Sequence, residues 1–306
     1  MPRIAYIFPG QGSQYVGMGK ELYERSSAAR ELYDRADTIL GFPLTKLSFE
    51  GPEDRLRQTG TTQPAIFVQS IALTRLLDGG DAAMAAGHSL GEYSALVFSG
   101  AMTFEEGLRL VGLRGALMQQ AGEERKGTMA AVIGLTPEVV AAICAEAAGE
   151  GIVQCANFNS PGQIVISGSV EGVRRAMQIA KERGAKLVKE LVVSGAFHSP
   201  LMDGARGELR LALRKAAIQD ARIPVYANVS GRPVRKAEDI RTLLEAQVTS
   251  AVRWEESVRN MIADGATTFV EVGPGKVLQS LVKRISDAAE VRGIDTIEDI
   301  QQSVPA

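Results

Sequence analysis

The chain is poor in the residues that staple a fold or hold a metal. Its 306 residues include two cysteines, Cys144 and Cys155. These fall in segments that read as a helix and a strand, so neither a disulfide framework nor a cysteine-based metal site is expected, and both are read as buried thiols. Two histidines occur, His88 and His198, so any chemistry that needs an imidazole has two places to find one. No apolar run approaches the length of a membrane span, and the N-terminus enters an apolar strand at Ile4 without a signal-peptide pattern. A cytoplasmic protein with no membrane partner is therefore expected. Neither sign of charge dominates: the net charge of -2 removes the argument for general nucleic-acid binding. The basic clusters Arg232, Arg235, Lys236 and Lys181, Arg183, Lys186, Lys189 read as solvated faces, with a local docking role open to either. What remains is a chain, 45% hydrophobic, long enough to bury a sizeable core in one large domain or two smaller ones.

The most informative segment is Gly87-His88-Ser89-Leu90-Gly91. This G-x-S-x-G pentapeptide sits where an apolar run, 82–86, turns into a helical stretch, 92–98, which is the pattern of a nucleophile elbow. A sharp strand-to-helix turn lifts one hydroxyl clear of the backbone, and flanking glycines let the chain crowd there. Ser89 is the candidate nucleophile. Its place at a helix N-terminus leaves amides free, that of Leu90 among them, to face a developing oxyanion. A glycine-rich turn with an incidental serine is the bland alternative.

Along the chain, the first third alternates short strands with amphipathic helices. A strand at 4–8 ends in Pro9-Gly10-Gln11-Gly12, a helical pattern runs from Met18 to Leu40, and Thr62-Gln63-Pro64 opens another helix. Thr103-Phe104-Glu105-Glu106 is a capping box and predicts a helix to about Gln120. The middle reads strand 129–133, helix 137–147, strand 152–158, turn 159–162, strand 163–167, helix 171–183 and strand 186–193. This βαββαβ order is that of a ferredoxin-like unit, entered through a linker at 122–127. After it the α/β pattern resumes with a helix from Pro200, a strand at 224–229, helices near 240–247 and 254–263, a strand at 268–272 and a helix after Gly275. The expectation is a discontinuous α/β core with a largely parallel sheet, residues 1–125 and 195–306, carrying an inserted ferredoxin-like subdomain, 126–194.

Two glycine-rich stretches fail as phosphate loops. Gly10-Gln11-Gly12-Ser13-Gln14-Tyr15 lacks the third glycine of G-x-G-x-x-G, and Gly273-Pro274-Gly275-Lys276 reads as a strand-to-helix turn. A serine nucleophile needs a base instead. His88 directly precedes Ser89, and consecutive side chains leave a tight elbow in different directions, so it is poorly placed to take the hydroxyl proton. His198, in Phe197-His198-Ser199-Pro200, is read either as a surface histidine at a helix start or as the base, and the elbow favours a Ser89–His198 pair. No acidic residue stands out as a third member.

The segments Phe8-Pro9-Gly10-Gln11-Gly12-Ser13-Gln14, Thr62-Gln63-Pro64-Ala65, Gly87-His88-Ser89-Leu90-Gly91-Glu92-Tyr93, Arg114-Gly115, Asn157-Phe158-Asn159-Ser160-Pro161-Gly162-Gln163, Phe197-His198-Ser199 and Glu271-Val272-Gly273-Pro274-Gly275 together resemble the malonyl-CoA:acyl-carrier-protein transacylases of fatty acid synthesis. The likeness spans nearly the whole chain in the same order. It implies an α/β-hydrolase-like core with a ferredoxin-like insertion, as read above from pattern alone.

The resemblance implies that Ser89 accepts the acyl group and that His198 is general base and acid. It implies an oxyanion hole from the amides of Gln11 and Leu90, and Arg114 on the malonyl carboxylate. Gln63 would line the acyl pocket, and the main-chain carbonyl of Gln247 would orient the histidine, a role that accounts for the absent aspartate. Phe197 is the position linked in related domains with malonyl over methylmalonyl use, and Asn159 and Gln163 are expected near the pantetheine arm. No metal or other cofactor is implied: malonyl-CoA and an acyl carrier protein are substrate and partner of a monomer. For Arg114 a chemical argument stands beside the family: a guanidinium fork pairs with a carboxylate through two hydrogen bonds, although on pattern alone a solvated charge on an amphipathic helix fits equally. A freestanding acyltransferase that loads a polyketide synthase and a serine hydrolase are the alternative readings.

Overall fold

The computed structural model describes residues 3–77 and 82–303. The chain opens with β1 (Ile4–Phe8), then α1 (Lys20–Arg25) and α2 (Ser27–Leu40). The single helical pattern expected from Met18 is thus broken, because Ser26 takes an extended conformation and its hydroxyl caps α2 by accepting from the Ala29 amide. Two short helices, α3 (Leu44–Glu50) and α4 (Glu53–Leu56), lead to α5 (Thr59–Leu76). The last begins three residues before the expected Thr62, so Pro64 lies inside it. Pro64 is still near the N-terminal end, where a missing N–H costs least. β2 (Ala82–Gly87), α6 (Gly91–Phe98) and α7 (Phe104–Glu124) follow, the last capped by the Thr103 hydroxyl on the Glu106 amide.

The inserted unit comes next: β3 (Gly127–Ile133), α8 (Pro137–Ala147), β4 (Val153–Ser160), β5 (Gln163–Ser169), α9 (Val170–Glu182) and β6 (Leu187–Glu190). Its strands pair antiparallel in the order β4-β5-β3-β6, the ferredoxin-like arrangement. The turn between β4 and β5 is tighter than the 159–162 loop expected from sequence, since β4 continues through Ser160 and only Pro161 and Gly162 connect the strands. Alternation divides this sheet cleanly. Ala130, Val132, Ile164 and Ile166 join the core under α8 and α9, so Met129, Val165 and Gln163 face the other way, toward the rest of the protein. Cys144 is buried in that core, whereas Cys155 is only partly buried, because it sits on β4 at the edge of the sheet.

The chain then returns through a 3-10 turn (Pro200–Met202), α10 (Asp203–Lys215), β7 (Val225–Tyr226), β8 (Pro233–Val234), α11 (Ala237–Gln247), α12 (Trp254–Ala263), β9 (Thr268–Val272), α13 (Val277–Ile285), β10 (Glu290–Ile294) and α14 (Ile297–Ser303). β7 is far shorter than the expected 224–229, since the chain leaves the sheet at Ala227 and turns back, Ala227 N bonding Arg232 O. The main sheet runs β10-β9-β1-β2-β7-β8 and is parallel except for β8. Both faces are covered, as a parallel sheet requires. Tyr6, Phe8, Ala85 and Val270 face the helices before the insertion together with α10 and α11, while Ile7, Met84 and Phe269 face Trp254, Val258, Leu281 and Val282 of α12 and α13. A fully buried ring such as Phe269 makes truncation to alanine cost roughly 3–5 kcal/mol. Subdomain and core are stitched together beside the site by β4, through Phe158 N to Val252 O (2.9 Å) and Val252 N to Ala156 O (2.8 Å).

Candidate active site

Ser89 occupies the turn between β2 and α6 with φ 51°, left-handed for a residue with a Cβ. Two neighbours enforce it. A Cβ on Gly91 would lie 2.1 Å from the Phe8 carbonyl oxygen, so only glycine lets α6 start hard against the end of β1. From the far side Asn228 bridges the elbow: its Oδ1 accepts from the Ser89 amide at 2.7 Å and its Nδ2 donates to Gly87 O at 2.6 Å.

The Ser89 hydroxyl oxygen lies 2.8 Å from His198 Nε2. His198 is also left-handed, φ 57°, in the loop between β6 and the 3-10 turn. Its Nδ1 faces the carbonyl oxygens of Gln247 (2.9 Å) and Ser250 (3.2 Å). Carbonyls only accept, so Nδ1 carries the proton and Nε2 is left to accept from the serine. Gln154 fixes the same loop by donating to His198 O (2.8 Å) and Thr249 O (3.1 Å). Burial, reinforced by the positive charge of Arg114, pushes the His198 pKa down to about 3, against the two carbonyl bonds that favour the cation. The imidazole is neutral at pH 7 and able to take a proton. The other histidine turns away: His88 Nε2 sits 2.9 Å from Asn159 Oδ1 and its ring 5.7 Å from that of Trp254.

Arg114, on α7, is 1% exposed. It donates to Gln63 Oε1 (2.6 Å), to Gln247 Oε1 (2.9 Å) and to the Ser89 hydroxyl oxygen (3.0 Å). It also stands over the Tyr93 ring, 5.7 Å from its centroid, and its buried Nε has no partner among the described residues. The guanidinium is thus held by neutral oxygens in a buried site, and burial lowers its pKa. Such a cation is costly unless an anion completes it. Gln247 donates in turn to Ser89 O (3.0 Å) and to the buried Glu92 Oε2 (2.7 Å).

The amides around the serine are mostly committed. Ser89 N and Gly91 N are spent on Asn228 Oδ1 and His88 O, and Gly12 N on Gln14 Oε1. The amides of Leu90 and Gln11 have no acceptor among the described residues and both residues line the cleft. Gly10 lets its loop pack against the elbow, since a Cβ there would stand 2.4 Å from His88 O. The cleft itself, ≈ 230 Å³, opens between the subdomain sheet, with Met129 and Val165, and α13, with Leu278 and Leu281. Phe197, buried, and Asn159 line it. Gln163 stands at its rim, where its Oε1 accepts from Arg284 (2.7 Å). Lys186 and Lys189 are exposed at and beyond the start of β6, Lys189 opposite Ala131 in the ladder with β3. Asn228 and Glu92 are absent from the residues singled out by sequence as site candidates. Asn228 lies in a stretch that reads as strand, and Glu92 carries no signal beyond its place in the elbow motif. Among the described residues no group of histidine, cysteine and acidic side chains is placed to hold a metal, and no helix is long and apolar enough to cross a membrane.

The model of the acyl transferase domain family matches residues 5–303. The malonyl CoA-acyl carrier protein transacylase of Bacillus subtilis is 45% identical over 99% of this chain and 97% of its own length. The chain belongs to this family of acyl transferases. The acyl carrier protein S-malonyltransferase of Vibrio cholerae superposes with a TM-score of 0.95 at 41% identity, covering 99% of this chain and 100% of that one. A malonyl-transacylase solved in complex with a holo type II polyketide-synthase acyl-carrier protein superposes at 0.95 and 39%, over 98% of each. As an acyl transferase, the chain has the family's α/β-hydrolase-like core with its inserted subdomain.

Proposed function

We propose that this acyl transferase moves a malonyl group from malonyl-CoA to the phosphopantetheine thiol of an acyl carrier protein through a malonyl ester on Ser89. In the first half, the Ser89 hydroxyl oxygen attacks the thioester carbonyl carbon while His198 Nε2 takes its proton. The carbonyl oxygen, now negative, rests on the Gln11 and Leu90 amides. The carbon–sulfur bond then breaks and His198 returns the proton to the departing CoA sulfur. In the second half, the carrier's thiol gives its proton to His198, its sulfur attacks the ester, and Ser89 regains its hydroxyl. The Gln247 carbonyl holds the imidazole in the accepting tautomer, stabilising the cation less than a carboxylate would. Arg114 holds the malonyl carboxylate, and Gln63 lines the acyl pocket. Phe197 narrows the pocket, and Asn159 and Gln163 flank the pantetheine arm. The protein acts as a cytoplasmic monomer, its core from 1–125 and 195–306 and its subdomain from 126–194 forming the two walls of the cleft.

The observation that carries this reading is the buried Arg114 guanidinium 3.0 Å from the nucleophile, with no carboxylate bonded to it among the described residues. A simple esterase has no need of such a cation. Likeness to a transacylase solved with a polyketide carrier keeps a polyketide-loading role as the second reading, and parallel assays with fatty-acid and polyketide carriers separate the two. The test is intact mass after mixing with malonyl-CoA. One malonyl adduct is expected in the wild type and none on Ser89→Ala with its fold intact; a full-strength adduct on the variant overturns the assignment.

A further inference from the structure

One buried acid beside the site has no part in that mechanism. Glu92, in the first turn of α6, is 2% exposed. Its Oε2 accepts from Asn228 N (3.0 Å) and Gln247 Nε2 (2.7 Å). Burial drives its pKa up to about 7, opposed by those two bonds and by the charge of Arg114. A carboxylate in such a place destabilises the fold unless its bonds matter. Those bonds reach everything else in the site. Asn228 is the residue that clamps the elbow, and Gln247 is the residue on which the other groups meet. The Gln247 main-chain oxygen takes the His198 Nδ1–H, its Oε1 takes Arg114 Nη2, and its Nε2 donates to Ser89 O as well as to Glu92.

The direction of these bonds is the point. An arginine only donates, and Glu92 Oε2 accepts from both Asn228 N and Gln247 Nε2, so with Arg114 on one side and that oxygen on the other the Gln247 amide has a single orientation. Without Glu92 the Nε2 side keeps only the Ser89 carbonyl. The amide keeps its orientation but is then tethered by one acceptor where there were two, so the Arg114 contact with Ser89 and the α11 end bearing the His198 acceptor are held less tightly. We infer that Glu92 is a positioning residue: through the Gln247 amide and the Asn228 backbone it locks Arg114, His198 and the elbow in one arrangement around Ser89. The site thus contains an acid after all, one side chain removed from the histidine. The inference rests on the proposed Ser89–His198 chemistry.

The test is single-turnover malonylation of Ser89, followed by rapid quench and intact mass across malonyl-CoA concentrations. Glu92→Ala should lower the maximal rate by about 10–100-fold, the scale on which slight misplacement of reacting groups acts. Half-saturation should stay within about threefold of wild type, because Gln63 still holds the other end of the Arg114 guanidinium directly. Glu92→Gln should recover most of the rate, since both bonds go to one oxygen and an amide oxygen can accept them. In a Gln247→Met background, which keeps the main-chain carbonyl on His198 and leaves only the Asn228 bond to lose, Glu92→Ala should cost less than in the wild type. Wild-type rates in Glu92→Ala, a Glu92→Gln as slow as the alanine variant, or undiminished extra loss in the methionine background each overturn the inference. Should Glu92→Ala not fold, Glu92→Asp, which withdraws the oxygen by one methylene, takes its place with the same expected loss. Absence of any Ser89 adduct in the wild type would overturn the proposed function along with it, whereas an adduct formed at equal rates in all variants overturns the role of Glu92 alone.

Discussion

Replacing Arg114 by alanine separates recognition of the acyl group from its transfer. In the free protein the guanidinium has no carboxylate partner among the described residues and donates to Gln63, Gln247 and Ser89. Two losses follow from its removal, and they fall differently on two substrates. Malonyl-CoA loses a charge-assisted pair in a desolvated pocket, worth about 2–5 kcal/mol, or roughly 30- to 5,000-fold in rate. Acetyl-CoA has no carboxylate to lose. Both substrates lose the donor on the Ser89 oxygen, which steadies negative charge there as the proton leaves. Part of that shared loss is offset, because Arg114 is one of the causes that hold the His198 pKa down, so the imidazole of the variant is the stronger base. Removing a buried charge also relieves a desolvation cost, so the variant should fold. The expected result in single-turnover acylation of Ser89 is a malonyl-to-acetyl preference reduced by at least about 30-fold, with acetyl transfer falling by about tenfold or less. Equal losses for the two thioesters would show that Arg114 is structural and that selectivity arises elsewhere.

The two histidines should part in the same assay. His198→Ala should slow acylation by about 1,000-fold or more, while His88→Ala, which loses its bond to Asn159, should act on thermal stability; the reverse pattern would assign the base to His88. The pH profile follows from the depressed pKa of His198. With that value at about 3, acylation at pH 5 should match that at pH 7, and an acid limb near pH 6.5 in kcat/KM would contradict it. The same shift acts on folding: between about pH 6.5 and 3 the unfolded chain binds a proton that folded His198 refuses, so this residue subtracts stability as pH falls through that window. Urea titrations of wild type and His198→Gln should converge above pH 7 and separate below pH 6. Finally, Lys186→Glu with Lys189→Glu should raise the carrier's KM and flatten its salt dependence; unchanged kinetics at low salt would place the docking surface elsewhere.

Periodicity made most of the fold readable. The helices Pro137–Ala147 and Trp254–Ala263 and the strand Thr268–Val272 fall on the expected residues, because each has a strong apolar repeat bounded by a clear stop. The strand Glu290–Ile294 escaped. It is an edge strand, largely solvated, and its arginine and glutamate hide its pairing with β9. The break at Ser26 escaped because the apolar repeat continues across it and only a side-chain cap marks the new start. In the site, the proximity of Ser89 and His198 was legible from a local motif and a scarcity of histidine. Asn228 and Glu92 were not, since their value lies in bonds to residues more than a hundred positions away, from a loop that composition presents as strand and from a helix turn where a glutamate is ordinary.

Ser89 and His198 are the non-glycine residues with left-handed backbones among the described residues. A Cβ in that region costs roughly 1–2 kcal/mol, so glycine at either position would ease the fold even as it removed the group that reacts. A library selected for heat resistance alone would therefore drift toward a sturdier protein with an empty site, and an engineer seeking a hardier catalyst must hold these two positions fixed and look for gains elsewhere in the sequence.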